Sequence, residues 1–177
     1  MANQIARHSS SIGEFQSRLA DRLHALARSK DLLIKGDWKK ADLRELAVAQ
    51  LAPFVDKDQS RLVLEGAPLS LQSEAVRYVG LALHELATNA SKYGALATAE
   101  GQVALSWRLA AGEQGKAFHL SWQESGVHVA EVPQRRGFGY VVLSEIVPGA
   151  LGGSVKVEYS GDGMRWELTA PAGRVVA

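Results

Sequence analysis

The stretch from Leu83 to Leu96, L-H-E-L-A-T-N-A-S-K-Y-G-A-L, constrains this chain more than any other. At about 100° per residue a helix brings Glu85, Asn89 and Lys92, at i, i+4 and i+7, onto one narrow face. An acid, an amide and an ammonium gathered in this way bind something charged. Val76, Val79, Leu83, Leu86, Ala90 and Tyr93 recur on the opposite stripe, so the helix is predicted to set an apolar side against a core and a polar side against a cavity. Tyr78 and Leu81 prolong the polar line with apolar residues, which makes the cavity greasy at one end and ionic at the other, as suits a nucleotide. By itself E-x-x-x-N-x-x-K also describes a solvated face laced by i,i+4 contacts.

Downstream glycines decide between the two. Trp122-Gln-Glu124-Ser-Gly126, then a polar loop, then Gly137-Phe138-Gly139 before an apolar helical run supply the other parts of a phosphate site in order. With these residues in hand, the chain resembles the catalytic and ATP-binding domain of sensor histidine kinases of the HWE subfamily. That subfamily takes its name from a His in the N box, here His84, and a Trp-x-Glu in the G1 box, here Trp122 and Glu124. The N box matches through Gly94, the Gly-Phe-Gly of the G2 box is present, and the resemblance runs from about Ile12 to Pro171.

Composition fits one ordinary domain plus an extra element: 177 residues, 46% of them hydrophobic, are ample for a buried core. Twenty basic against nineteen acidic residues leave a net charge of +1, so no overall field points to nucleic acid or an anionic membrane. The absence of cysteine excludes disulfides and thiolate metal sites. No apolar run approaches the ~20 residues of a membrane span and no signal peptide opens the chain, so a soluble, cytoplasmic protein is expected.

In chain order, Ser11-Ile12-Gly13-Glu14 reads as a capping box, and Ile12, Phe15, Leu19, Leu23, Leu26 and Leu33 recur near helical spacing, predicting an amphipathic helix to about Leu33. Gly36-Asp37-Trp38 marks a hinge. Asp42 is a plausible cap for a short helix to about Pro53. Arg61–Leu64 and Leu69–Leu71 read as a short hairpin or bent strand pair, and Ser70 or Ser73 as the cap of the central helix, which stops at Gly94 as its C′ residue. Val103–Leu109 and Phe118–Trp122 alternate apolar with polar around a Gly112–Gly115 turn, and Val155–Tyr159 with Met164–Leu168 form a closing hairpin. About five strands and three long helices in blocks predict an α+β two-layer sandwich. The resemblance sharpens this to the Bergerat (GHKL ATPase) fold, a mixed, mostly antiparallel sheet packed on three helices and preceded by the N-terminal helix.

The resemblance further implies that residues 1–35 are a partial dimerisation and phosphotransfer hairpin and residues 36–177 the catalytic domain. The function it implies is an ATP-dependent protein histidine kinase of a two-component system, with ATP and Mg²⁺ as cofactors, a response regulator as partner and a homodimer through the hairpin of the parent protein. Asn89 is the expected Mg²⁺ ligand, because an amide oxygen is hard and leaves room for water and phosphate. Glu85 reaches the same metal through water and, by resemblance, is the general base on the attacking imidazole, although orienting a water is an equally simple role. Lys92 places a point charge on the phosphates. Glu124 accepts from the adenine amino group, Gly126 lets the backbone approach the base, and Gly137, Phe138 and Gly139 cradle phosphate at a helix start. Tyr93 and Thr169 complete the nucleotide set. Arg135 and Arg136 either clamp the γ-phosphate or solvate the loop. His84 and Trp122 are expected to pack around these groups.

Two departures bear on activity. The family's H-R-x-K-N signature around the acceptor histidine has no counterpart among His8, His24, His84, His119 and His128, and Lys30-Asp31-Leu32-Leu33 stands where His-Asp-Leu-Leu is common. The rival reading is a non-catalytic or phosphotransfer protein on the same scaffold that docks a response regulator. A serine kinase of an anti-sigma partner is disfavoured by the hairpin remnant and the Trp-x-Glu box.

Overall fold

The computed structural model describes residues 11–35, 38–55, 60–112, 115–127 and 137–177. Calls of the sequence that fall on Gly36 and Asp37, the centre of the Gly112–Gly115 turn, His8, His128, Arg135 and Arg136 therefore lie outside the described residues. Helix α1 spans Ile12–Lys35, β1 Lys40–Asp42, α2 Leu43–Leu51, β2 Leu62–Glu65, β3 Ser70–Gln72 and α3 Ser73–Tyr93. Then come β4 Gln102–Gly112, β5 Gly115–Ser125, α4 Phe138–Val141, a π-helical turn Val142–Ile146, α5 Val147–Leu151, β6 Ser154–Ser160, β7 Gly163–Pro171 and α6 Ala172–Val175.

The main sheet has five strands in the order β2-β4-β5-β7-β6, with β2 parallel to β4 and every other neighbour antiparallel. Strict alternation sets its inward face: Val103, Leu105 and Trp107 from β4, Phe118, Leu120 and Trp122 from β5, and Trp166, Leu168 and Ala170 from β7 are buried. Against them lies α3, whose Val76, Val79, Leu83, Leu86 and Ala90 are fully buried, as the 3.6-residue period requires. The two-layer α+β expectation holds. At about 1.5–3 kcal/mol per buried large apolar side chain, this shared core is what fixes α3 against the sheet.

Several local expectations are corrected. The predicted hairpin of Arg61–Leu64 with Leu69–Leu71 does not form: β2 joins the main sheet and β3 pairs with β1 in a separate two-stranded sheet, Lys40 opposite Gln72. The chain between them crosses the Trp107 indole, whose Nε1 donates to the Ala67 carbonyl at 2.8 Å, and only the glycine at 66, with φ +159°, fits above the ring. Neither Ser70 nor Ser73 caps α3. Gln72 occupies the cap without a side-chain bond, while Ser73 N–H donates to the Lys39 carbonyl at 3.1 Å. Gly94 ends α3, but with φ −122° it is not left-handed, and glycine is required because the Glu124 carboxylate fills the place of a Cβ. Tyr93, expected on the buried stripe, is 80% exposed, since the last turn of α3 runs past the core. Asp42 does cap α2, accepting from Glu45 N–H at 3.1 Å.

Helix α1 packs antiparallel on α3. The two cross at Gly80, where an added Cβ would collide with Ser29 Oγ and come within 3.3 Å of Gln50 Nε2. Ser29 and Gln50 are buried there, Gln50 Nε2 donating to the Ala25 carbonyl at 2.8 Å and to Ser29 Oγ at 3.0 Å. Gly80→Val should therefore cost about 1–3 kcal/mol in urea unfolding by overpacking this crossing. Gly149→Ala, whose new methyl meets nothing within 4 Å, should cost nothing. Equal stabilities for the two variants would show that α1 does not sit on α3 in solution.

Candidate active site

Glu85 lies at the middle of α3 and is 4% exposed, on the side that α1 covers. Its carboxylate is held by Arg22 of α1 in a two-pronged ion pair, Nε to Oε1 at 2.6 Å and Nη2 to Oε2 at 3.0 Å. The guanidinium also stacks on the Phe138 ring, 4.4 Å from its centroid, while its Nη1 is buried without a partner. Sequence reasoning missed Arg22, although a signal was present: it falls seven residues after Phe15, three after Leu19 and four before Leu26, within the apolar stripe of α1. A charge in such a stripe must meet a partner.

The Gly-Phe-Gly stretch reaches the same place. A Cβ on Gly139 would lie 2.9 Å from Glu85 Oε2 and 3.9 Å from both Oδ1 and Nδ2 of the half-buried Asn89. The start of α4 thus sits directly against the carboxylate and amide predicted to face it. Phe138 is 1% exposed, so it anchors the stretch and covers Arg22 rather than presenting a surface to a ligand. Gly137 begins the helical run with φ −75° and open space around its α-carbon. Among the described residues no cluster of three or more His, Cys, Asp or Glu side chains could hold a metal by itself. The oxygen donors that do exist, the Asn89 amide beside the paired Glu85 carboxylate, are of the kind a hard cation takes when phosphate and water complete its shell.

Glu124 shares the inward parity of Phe118, Leu120 and Trp122 and is 4% exposed. Its Oε1 accepts from Trp122 Nε1–H at 3.1 Å and its Oε2 from the Ala95 N–H at 2.8 Å, so the Trp-x-Glu pair ties β5 to the turn after α3. Two of the carboxylate's roughly four acceptor sites are used in this way. Gly126 has φ +70°, and a Cβ there would be 2.8 Å from the Glu100 carbonyl oxygen, so its glycine is demanded by a tight turn of the protein itself. Nearby, the phenol of Tyr159 on β6 is held above its ordinary pKa, first by burial and then by the Glu124 charge and Tyr140. Neither tyrosine was singled out in the sequence, though Tyr140 directly follows the Gly-Phe-Gly.

Three expected members do not join this group. Lys92 is exposed and lines a cavity on the flank of α3 with His84, Thr88 and Ser91. Thr169 lies five residues along β7 from Met164, the partner of Glu124, which is about 17 Å at strand rise. It points to the outer face and its Oγ1 is 3.1 Å from His119 Nδ1. Tyr93 extends into solvent. His84 and Trp122 pack as expected: Trp122 is fully buried, and the His84 ring sits 5.7 Å from Phe54. The ion pair generates a stability prediction. Arg22→Met should cost about 3–5 kcal/mol in denaturant unfolding because Glu85 is left charged and buried, whereas Arg22→Met combined with Glu85→Leu should recover most of it. Simple additivity of the two changes would mean the pair is not formed.

The model of the family described as HWE histidine kinase matches residues 1–68. Blue-light-activated histidine kinases of Brucella anthropi and Brucella ovis are each 32% identical over 171 residues, covering 97% of this chain and 35% of theirs, so the chain spans about a third of their length. Among solved structures, the histidine kinase domain of the Erythrobacter litoralis EL346 blue-light-activated histidine kinase aligns with a TM-score of 0.66 at 18% identity, over 88% of this chain and 75% of that one. The catalytic domain of histidine kinase ThkA aligns at 0.55 and 17% identity, over 75% of this chain and 93% of that one. These structures share the fold that the sheet and α3 build here. Residues 1–68 thus match the HWE histidine kinase family, and histidine kinases are the relatives matched along nearly the whole chain, His84, Trp122 and Glu124 included.

Proposed function

We propose that this chain is the ATP-binding kinase core of a two-component sensor protein histidine kinase, which transfers the γ-phosphoryl group of ATP to a histidine carried by a longer parent protein. The observation that carries the proposal is the seating of Gly139 against Glu85 and Asn89, which brings the two glycine-bounded elements of a phosphate site to one point. In this reading residues 1–35 are the tail of the dimerisation hairpin and residues 36–177 the catalytic domain. The parent protein dimerises through the hairpin, passes the phosphoryl group to a response regulator and works in the cytoplasm. No helix among the described residues is long and apolar enough to cross a membrane.

Each residue then has a role in the transfer. An imidazole nitrogen attacks the γ-phosphorus, the bond from that phosphorus to the ADP oxygen breaks, and the imidazole proton passes to Glu85. For this, the imidazole must reach an acceptor site on Glu85 that Arg22 leaves unused, or displace Arg22 from one. Asn89 would hold Mg²⁺, which would neutralise charge on the phosphates. Glu124 uses its remaining acceptor sites on the adenine amino group, which favours adenine over guanine because a carboxylate needs a donor opposite. Of the three described histidines, His84 is buried against Phe54, His119 is bonded to Thr169 on the outer face, and His24 is exposed on α1. The second reading, a docking protein that does not catalyse, draws on one observation: both oxygens of Glu85 are occupied by Arg22.

Calorimetry separates the two. ATP should bind with a Mg²⁺-dependent heat, GTP should compete poorly, and Asn89→Ala should lose the metal-dependent part. Identical titrations of both proteins would sink the kinase reading. A complementary measurement uses radioactive ATP: these residues should label weakly by themselves, and adding a fragment bearing the acceptor helix should restore an acid-labile, base-stable phosphate that Glu85→Gln abolishes. Strong self-labelling at His24 would place the acceptor in the chain itself.

A further inference from the structure

The helical run that follows the Gly-Phe-Gly stretch changes its hydrogen-bond pattern half-way. Between α4 and α5 the Val147 N–H donates to the Val142 carbonyl, five residues back, so Val142–Ile146 form a π-turn. In a continuous α-helix the same N–H would take the carbonyl of Leu143. Such turns are rare and enclose one residue more than an α-helical turn does. Two features of this chain account for it. Phe138, Val142, Val147 and Leu151 are each at most 1% exposed and follow one another in steps of four, five and four, so a widened middle turn keeps all of them on one face.

The second feature is the carbonyl that the wide turn passes over. Leu143 is buried, and in the widened pattern its oxygen would wait for the N–H of residue 148, which is a proline and has none. A buried carbonyl without a donor costs about as much as a lost hydrogen bond. Trp166 of β7 supplies the donor: its side chain is buried, and its Nε1 donates to the Leu143 oxygen at 3.4 Å. A buried indole N–H needs an acceptor in its turn, so each group satisfies the other.

What the turn carries depends on its register. If the Val147 N–H moved to Leu143, the residues ahead of the turn would advance by one position, about 100° around the axis and about 1.5 Å along it. Tyr140 would then stand where Gly139 stands, and a Cβ in that place lies 2.9 Å from Glu85 Oε2. Gly139 would replace Phe138, whose ring covers Arg22. We propose that Trp166 is a positioning residue of the phosphate site: through the Leu143 carbonyl it holds the π-turn in the register that sets Gly139, rather than a side chain, against Glu85 and Asn89. The inference rests on the nucleotide reading above. Trp166 touches no ligand in it and acts through one hydrogen bond and one turn of helix.

The test compares Trp166→Phe with the same change combined with deletion of the exposed Glu145. Losing the indole donor frees the Leu143 carbonyl for the Val147 N–H, so part of the population slips to the α-helical register and Mg²⁺-ATP affinity, measured by calorimetry, should fall by roughly tenfold. Deleting Glu145 removes the extra residue, which makes the Val147 to Val142 bond an ordinary α-helical one and leaves Gly139 in place. The double variant should therefore regain the affinity without regaining the stability lost with the larger ring. Replacing Trp166 by 3-benzothienylalanine, which keeps the bicyclic shape and lacks the N–H, should weaken binding as phenylalanine does and serves where the smaller ring unfolds the chain. NMR couplings across the hydrogen bond report the register without nucleotide: the Val147 amide should couple to the Val142 carbonyl in the unaltered chain and to that of Leu143 in the Trp166 variants. Undiminished affinity in the Trp166 variants, or a double variant no tighter than the single one, overturns the positioning role and leaves the nucleotide reading standing. A coupling that stays with Val142 in those variants overturns it as well. If the unaltered chain binds no Mg²⁺-ATP, the nucleotide reading fails and the positioning role fails with it.

Discussion

The buried pair of Arg22 and Glu85 governs how the N-terminal helix relates to the rest of the protein. Removing two charges from water costs several kcal/mol per ion, and mutual attraction offsets this only when geometry is good and the remaining donors are satisfied. Here the two contacts at 2.6 and 3.0 Å are good, but Nη1 is left unpartnered under the helix. The pair therefore specifies where α1 lies more than it stabilises the lie. Helix α1 could slide along an apolar groove at small cost, but it cannot slide away from Glu85 without stranding a charge. The Ser29, Gln50 and Gly80 crossing fixes the same register two turns further on.

Glu124 plays the corresponding part on the sheet side. A carboxylate at the end of the inward face of β5 would be costly if solvation were its only support, and it is instead bonded to Trp122 and to the backbone at Ala95. The consequence reaches back to α3. Because Glu124 fills the space beside Gly94, the helix must end there and the chain must turn into the short Ala95–Ala97 segment. The name-giving Trp and Glu of the family are thus a structural device that aligns the end of α3 with the sheet. Any role with adenine is added to that.

Much of this was legible in the sequence because it follows from period and volume. The buried stripe of α3, the alternation of β4, β5 and β7 and the cap at Asp42 needed only local rules. What failed were inferences in which local rules are silent or were not applied. Whether β2 and β3 pair with each other or with distant strands depends on β1 and β4, far away in the chain. Thr169 was legible and misread: Trp166, Leu168 and Ala170 set the inward parity of β7, which sends residue 169 outward. For Lys92, seven residues after Glu85, an ideal helix wheel gives nearly the same direction, yet it lines the flank of α3 with His84, Thr88 and Ser91. The approach of Gly139 to Glu85 and Asn89 was foreseen as a shared site and could not have been foreseen as a distance.

These facts together tie the candidate catalytic face to the N-terminal helix by thermodynamic linkage. Glu85 is 4% exposed and accepts one bond on each oxygen from Arg22, so a ligand that reaches it must displace groups that cover it or use the acceptor sites that remain. A ligand that takes Glu85 from Arg22 therefore works against the docking of α1. By reciprocity, any force that lifts α1 raises the affinity of that ligand by the same factor. A coupling of 1–3 kcal/mol, typical of such linkage, is about five- to 150-fold in affinity. The unpartnered Nη1 makes the docked state shallower than a fully satisfied pair would, since an unsatisfied buried donor costs about 1–3 kcal/mol. A tightly satisfied pair would lock the helix down. A pair with one donor left over holds the helix in register at a smaller net gain.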